Sequence, residues 1–320
     1  MKSIIDSGNV LNAGINSTRG SAVSAIAKLI FADKNRAAYF KEPLQQIVQD
    51  SSLAIRACAI EALTAMLNYD RDLAVNLFQQ LCDTEDELLG TKTIEYFLYY
   101  ALPTHFVDLA PILERMIMSE LPKVVKIGSR QACVASLNIE EARWLAKLCL
   151  SGTEAHRMAA AEVFVANFRP AHFRDFCENA LRQLFNDASN KVQFQAVRCF
   201  SHFEGKELDD YVSLVESFVN SSAFDTHYDK VIHALEKTTA KLPDDVTYQI
   251  CDRVLDGLRS NDANIRYHSA LKADGISSLL VKLYSQTKKL KLQSRCLDLV
   301  DLIAKNENYE LTKTLTEYER

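Results

Sequence analysis

A basic or amide side chain returns at a fixed step along this chain. Arg19, Arg56, Lys92, Arg130, Arg157, Gln193, Lys230, Arg266 and Arg295 each stand near the opening of a helix-sized apolar segment. Most neighbouring positions are about 36 to 38 residues apart, and two intervals are nearer 27 to 29. That is the period of helical-hairpin repeats, in which one hairpin buries its apolar face only by stacking on the next. The pattern predicts an all-α fold, a right-handed α–α superhelix of about eight to nine hairpins. Length alone, 320 residues, would suggest two globular domains; the period predicts one elongated array instead.

Composition agrees. Gly 9 and Pro 6 are few helix breakers for this length, and 48% hydrophobic residues suffice for a packed core. The net charge of −5 lacks the basic excess through which DNA-binding domains neutralise phosphates, which argues against a nucleic-acid partner. Eight cysteines, at 58, 82, 133, 149, 177, 199, 251 and 296, form no C-x-x-C pair and fall mostly in apolar stretches. They read as buried free thiols of a cytoplasmic protein. Met1-Lys2-Ser3-Ile4-Ile5-Asp6 opens no secretory signal, and no run reaches the roughly 18 apolar residues of a membrane span.

The clearest unit runs from about Arg36 to Leu67. Tyr39, Phe40, Leu44, Ile47 and Val48 recur at spacings near three and four, Asp50-Ser51-Ser52 breaks the helix, and Ile55, Ala59, Ala62, Leu63, Met66 and Leu67 line one face of the second helix. Aligned on the basic residue, Arg56–Leu63 matches Arg130–Leu137, Arg157–Phe164, Gln193–Phe200 and Arg19–Ile26. Pro43-Leu44 and Pro111-Ile112 stand 68 residues apart, about two repeats, and predict a recurring bend in the first helices.

This layout resembles the HEAT-repeat family, from about residue 16 to about 305. Pro43, Leu44, Ile47, Asp50, Ile55, Arg56, Ala59, Ala62 and Leu63 carry the likeness, echoed by Asp187, Val192 and Ala196 and by Asp262, Ile265, Arg266 and Ala270. Gln193 departs from the basic pattern. The resemblance implies first helices on the convex side, second helices on the concave side, and no chemistry. The segments Asn16–Ala22 and Leu283–Arg320 also look like the C-terminal helical arrays of very large bacterial ATP-binding proteins. That likeness implies a sensing or regulatory arm downstream of an NTPase.

The ends fit an array. Residues 1–16, with Gly8, Asn12, Gly14 and Asn16, are expected to be too short and broken for a full first helix, so either half a repeat or a missing upstream part precedes the solenoid at 17–305. The polar segment 306–320, with Tyr309, Leu311, Leu315 and Tyr318, is expected to cap it.

No catalytic, cofactor or metal residues emerge. The chain has no G-x-S-x-G, H-E-x-x-H, G-x-x-x-x-G-K-[ST] or G-x-G-x-x-G. Asp225-Thr226-His227-Tyr228-Asp229 is polar, but residues two apart do not share a helix face. The basic ladder has a structural reading ahead of an anion stripe: Asp50, Asp86 and Asp187 each lie six residues before a ladder position, as pairing across a hairpin turn requires. Tyr96-Phe97-Leu98-Tyr99-Tyr100 is the densest aromatic run; core packing with snorkelling hydroxyls is expected for it, and core packing for Trp144. Lys288-Lys289-Leu290-Lys291 reads first as a solvated turn.

The leading expectation is a non-catalytic scaffold that binds a protein or peptide on its concave face. Glu61, Tyr99, Gln131, Glu162 and Arg198, off the apolar stripe, form its candidate partner surface. The alternatives are the NTPase arm and a HEAT-like enzyme. DNA glycosylases of alkylated bases, one such class, would present a cationic face that −5 opposes; a chromophore lyase would need a large apolar cleft.

Overall fold

The computed structural model describes residues 7–239 and 241–305. The expected C-terminal cap lies outside them. The described residues form helices and turns, with no strand among them, as an all-α fold requires. No helix among them is long and apolar enough to cross a membrane. The chain divides into two compact units, Met1–Phe176 and Cys177–Arg320.

The first unit contains α1 (Ser7–Ile15), α2 (Thr18–Ala32), α3 (Ala37–Ile47), α4 (Leu53–Met66), α5 (Arg71–Cys82), α6 (Lys92–Ile117), α7 (Pro122–Asn138), α8 (Arg143–Ser151) and α9 (Glu154–Asn167), and it ends inside α10 (Ala171–Leu184). A row of helices forms its spine: α2 packs on α4, α4 on α6, α6 on α7 and α7 on α9. The intervening helices cover the row, α3 against α4, α5 against α4 and α6, and α8 against α7 and α9. The second unit continues with α11 (Asn190–Val197), α12 (Val212–Val219), α13 (Phe224–His227), α14 (Asp229–Lys237), α15 (Asp244–Leu255), α16 (Ala263–Gln286) and α17 (Leu290–Ala304). Its core holds Phe185, Phe200, Phe218 and Phe224, with ring centroids 4.9 to 5.4 Å apart around Phe218.

Within the expected lead-in, Ser7–Ile15 form the nine-residue helix α1. Gly14 of this helix is a contact residue rather than a breaker: a Cβ on it would stand 2.3 Å from the Ala54 carbonyl oxygen, and one on Gly20 would stand 2.0 Å from the Gly14 carbonyl oxygen. Only hydrogen at these two positions lets α1 lie against α4 and α2.

Helix α6 runs on through the segment where the repeat reading expects the second helix of one hairpin and the first of the next. The bend expected at Pro111 falls instead at His105, the residue with non-helical φ −131° and ψ 39°. Pro103 lacks the N–H that would bond the carbonyl one turn back, and its ring crowds that turn. The start of α5 holds the loosened backbone. Arg71 donates to the Tyr100 carbonyl and, over 3.0 Å, to Thr104 Oγ1, while His105 Nε2 meets Asp72 Oδ1 at 2.8 Å.

The periodic ladder has a different register and a different partner from those the sequence suggested. Four residues after the N-cap of a second helix, a side chain donates back to the carbonyl that closes the preceding turn. Arg56 reaches Asp50 O at 2.6 Å, Arg157 Gly152 O at 2.5 Å, Gln193 Asp187 O at 2.7 Å and Arg266 Ser260 O at 2.8 Å. In the first and last hairpins Ser21 bonds Ile15 O at 2.9 Å and Gln293 bonds Thr287 O at 3.0 Å. Arg19 and Arg295 therefore stand two residues off this register. Arg19 pairs with the Asp50 carboxylate, and the Arg295 guanidinium lies 3.9 Å over the Tyr248 ring. Lys92 is the exposed first residue of α6, Lys230 pairs with adjacent Asp229 at 2.7 Å, and Arg130 belongs to another row.

The acceptor at this position is a neutral carbonyl at the end of a helix or turn, so any donor serves and a basic residue adds only a favourable helix-terminus charge. The carboxylates play a separate part. Asp50 Oδ1 accepts from Ser52 N at 2.9 Å and Asp187 Oδ1 from Ser189 N at 2.7 Å, side-chain turns that set up each N-cap. Asp86, the third acid of that expectation, bonds Arg115 and Ser119 rather than Lys92. A second clamp recurs in the first helices. Arg115 donates to Cys82 O and Asp86 Oδ1, both at 2.9 Å. Arg253 likewise donates to Ser221 O at 3.0 Å and Asp225 Oδ1 at 2.9 Å.

Candidate protein-interaction groove

On α6, Ile94, Phe97, Leu98, Ala101 and Leu102 are buried, a stripe of period near 3.6 that faces the unit's interior. The same geometry turns Tyr96, Tyr99 and Tyr100 outward, 60%, 53% and 55% exposed. The expectation of a snorkelling core cluster is corrected for Tyr96 and Tyr100, while Tyr99 is exposed as a candidate surface residue should be; Phe97 alone of the aromatics in the run joins the core, stacked on Phe78 at 3.9 Å. Tyr99 and Tyr100 meet edge to face with centroids 5.2 Å apart, the arrangement aromatic quadrupoles favour.

The adjoining outer line of α7 runs Lys126, Arg130, Val134, Asn138 at steps of four. Its first half is charged. Arg130 lies 3.4 Å from Glu95 of α6 and 3.8 Å from Glu162 of α9, and Lys126 bonds Glu162 at 2.8 Å. Arg130 thus stands nine residues past its N-cap, the register of Glu61 and Glu162, and not that of Arg56. These half-exposed pairs contribute about 0.2–1 kcal/mol each; they fix the register of three neighbouring helices and leave little net charge.

The second half of the line opens into a groove of about 400 Å³. Tyr99, Tyr100, Leu102 and Pro103 form one wall, Val134, Ala135, Leu137, Asn138 and Ile139 the floor, and Asn167 and Phe173 the far side. No charged side chain lines it. Gln131 does line it, and this corrects the expectation that Gln131 belongs to the exposed surface: it is 4% exposed, and its Oε1 is buried without a hydrogen-bond donor. One residue beyond outward Arg130, it turns towards the helix row. An unsatisfied buried amide costs about 1–3 kcal/mol.

Of the other candidate surface residues, Glu61 is exposed on α4 and Glu162 is half-buried in the charge row. Arg198 is exposed in the second unit, just past the end of α11, with Nη1 3.0 Å from Gln195 Oε1. The groove thus brings Tyr99 and Gln131 together, with Glu162 in the adjoining row. Trp144 is 43% exposed on α8, a correction to its expected burial: Leu145, Ala146 and Cys149 take the core side of that short helix. Sequence reasoning missed Tyr100, Val134, Asn138, Asn167 and Phe173. Counting from each N-cap, rather than from each basic residue, would have placed Tyr100 with Glu61, Arg130 and Glu162.

The eight cysteines are free and buried. Burial pushes the thiols of Cys82, Cys199 and Cys251 far up, and that of Cys177 up to about 12. Cys149 goes the other way, lowered by its hydrogen bond with Cys133, and is itself fully enclosed. In the second unit a cavity of about 430 Å³ is lined by Tyr228, Asp229, Lys230, His233, Glu236 and Lys272 among others. Its charges compensate locally, Lys230 with Asp229 and Lys272 5.1 Å over the Tyr228 ring. Among the described residues no three His, Cys, Asp or Glu side chains gather as metal ligands.

His227 lies buried 5.6 Å from the Phe194 ring, with Nε2 unpartnered. Burial lowers its pKa below the ordinary 6.5. Above 6.5 both the folded and the unfolded imidazole are neutral, so the group is silent. As pH falls below 6.5 the unfolded chain takes up a proton that the folded chain refuses, and stability is lost until the folded pKa is passed. Urea midpoints of the native chain are therefore expected to fall between pH 7.5 and pH 5 more steeply than those of His227→Gln. Parallel slopes would remove this group from the account.

No protein-family description matches this chain, and no curated protein matches it. Among solved structures, an engineered protein is similar at 11% identity with a TM-score of 0.32, over 93% of this chain and 99% of that one. At that TM-score the likeness carries no argument about this chain.

Proposed function

We propose that the chain is a HEAT-like, non-catalytic interaction scaffold of the cytoplasm that binds a protein or peptide on the outer face of α6, α7 and α9. The observation that carries this reading is the pair Tyr99–Tyr100, more than half exposed beside an uncharged groove. Exposed tyrosines on a rigid helix supply large contact area at little entropic cost, which is why they are over-represented among interface anchors. The locally neutralised row Glu95–Arg130–Glu162–Lys126 suits a polar rim around such anchors. The eight buried free thiols support a reducing compartment.

The test uses peptides selected from a displayed random library against the whole chain. The Tyr99→Ala/Tyr100→Ala double variant is expected to weaken their binding by about thirtyfold or more, the size of a hot-spot loss. Tyr39→Ala, which removes a still more exposed tyrosine from α3, is expected to leave binding unchanged. Equal effects of the two variants, or none from either, would count against this face.

A further inference from the structure

We infer that the groove seats an uncharged peptide segment of the partner, with one apolar side chain between the Tyr99–Tyr100 pair and Phe173 and one peptide group hydrogen-bonded to the Gln131 carboxamide. The inference rests on the scaffold reading and names what that scaffold holds.

Four observations choose the occupant. The lining of Tyr99, Tyr100, Val134, Asn138 and Phe173 offers no counter-charge, so a carboxylate or ammonium group entering the groove would lose its water for nothing. The Gln131 Oε1 is more than nine-tenths buried and has no donor in the free chain. An amide oxygen only accepts, so this atom calls for a group that donates, as a peptide N–H does. The last torsion of glutamine is broad and two-fold, so either atom of the amide can turn to the occupant. The volume, about 400 Å³, holds one side chain and its backbone rather than a folded element. The neighbouring ion pairs satisfy one another, so the flanking surface does not select a strongly charged segment either.

The experiment continues with the selected linear peptides and the whole chain. The enriched core is expected to contain an aromatic or aliphatic residue and no Asp, Glu, Lys or Arg. Gln131→Leu, close in volume and without hydrogen-bonding atoms, is expected to weaken binding at least tenfold while melting no lower than the native chain, so that misfolding is not the cause. N-methylation scanned along the peptide is expected to find one amide whose loss weakens binding to the native chain but not to Gln131→Leu. Peptides that depend on Tyr99 and Tyr100 yet ignore both Gln131→Leu and N-methylation would overturn the inference and leave the scaffold reading standing. An acidic or basic enriched core would overturn it in the same way. Enrichment of no peptide at all would overturn both.

Discussion

Phe97→Ala is expected to cost the first unit about 3–5 kcal/mol, the range for a phenylalanine removed from a packed core. Phe97 and Phe78 are both fully buried and stack at 3.9 Å, one on α6 and the other on α5. Truncation removes the transfer energy of the ring and leaves Phe78 facing a void that two helices pinned at the His105 bend cannot close. Trp144, the chain's single tryptophan, stands in the same unit and makes its fluorescence a local reporter of urea unfolding. A loss below about 1 kcal/mol, against the range for such truncations, would mean that α5 and α6 slide together freely. The variant is also expected to blunt peptide binding, because Phe97 is the buried counterpart of Tyr96 and Tyr100 on the same helix.

The helices were legible in the sequence because their cores are written at period 3.6. The stripe Ile55, Ala59, Ala62, Leu63 and Met66 is buried as the pattern predicts. The ladder was legible as a period but not as a contact. Its chemistry is donation to a backbone carbonyl, and a carbonyl leaves no mark on composition; serine, glutamine and arginine all satisfy it, so following charge alone shifted the register at Arg19, Arg130 and Arg295. Where Arg130 was aligned on Arg56, the neighbouring Gln131 inherited an outward position it does not have. The bent helix α6 was hidden for a related reason. Its bend needs Pro103 together with the grip of Arg71 and Asp72, about 30 residues earlier. A proline read alone, such as Pro111, points to the wrong turn. Tyr99 was legible as a surface residue, because it falls off the buried stripe. The groove beside it was not, since Asn167 and Phe173 come from beyond the next hairpin and only packing brings them to Tyr100.

Gly128→Val is expected to destabilise the first unit by about 3 kcal/mol or more, the upper part of the overpacking range. Glycine inside a helix costs about 1 kcal/mol relative to alanine, so a glycine in the middle of α7 needs a reason. Close approach supplies it. A Cβ at Gly128 would stand 2.5 Å from Met116 Cβ, 3.1 Å from the Met116 carbonyl carbon and 3.2 Å from the Ile117 nitrogen. None of these is the far end of a flexible side chain, so relief requires α7 and the end of α6 to move apart. That motion would pull on the Glu95–Arg130–Glu162 row and widen the groove, so the variant is expected to lose peptide affinity together with stability. Gly275 on α16 provides the contrast: no described atom lies within 4 Å of a Cβ there. Gly275→Ala is therefore expected to raise the melting temperature slightly, by the roughly 0.5–1 kcal/mol that helical alanine gains over glycine. Circular dichroism melts of the two variants decide the matter. If Gly128→Val melts with the native chain, α6 and α7 are not held in contact by that glycine, and the charge row alone sets their spacing.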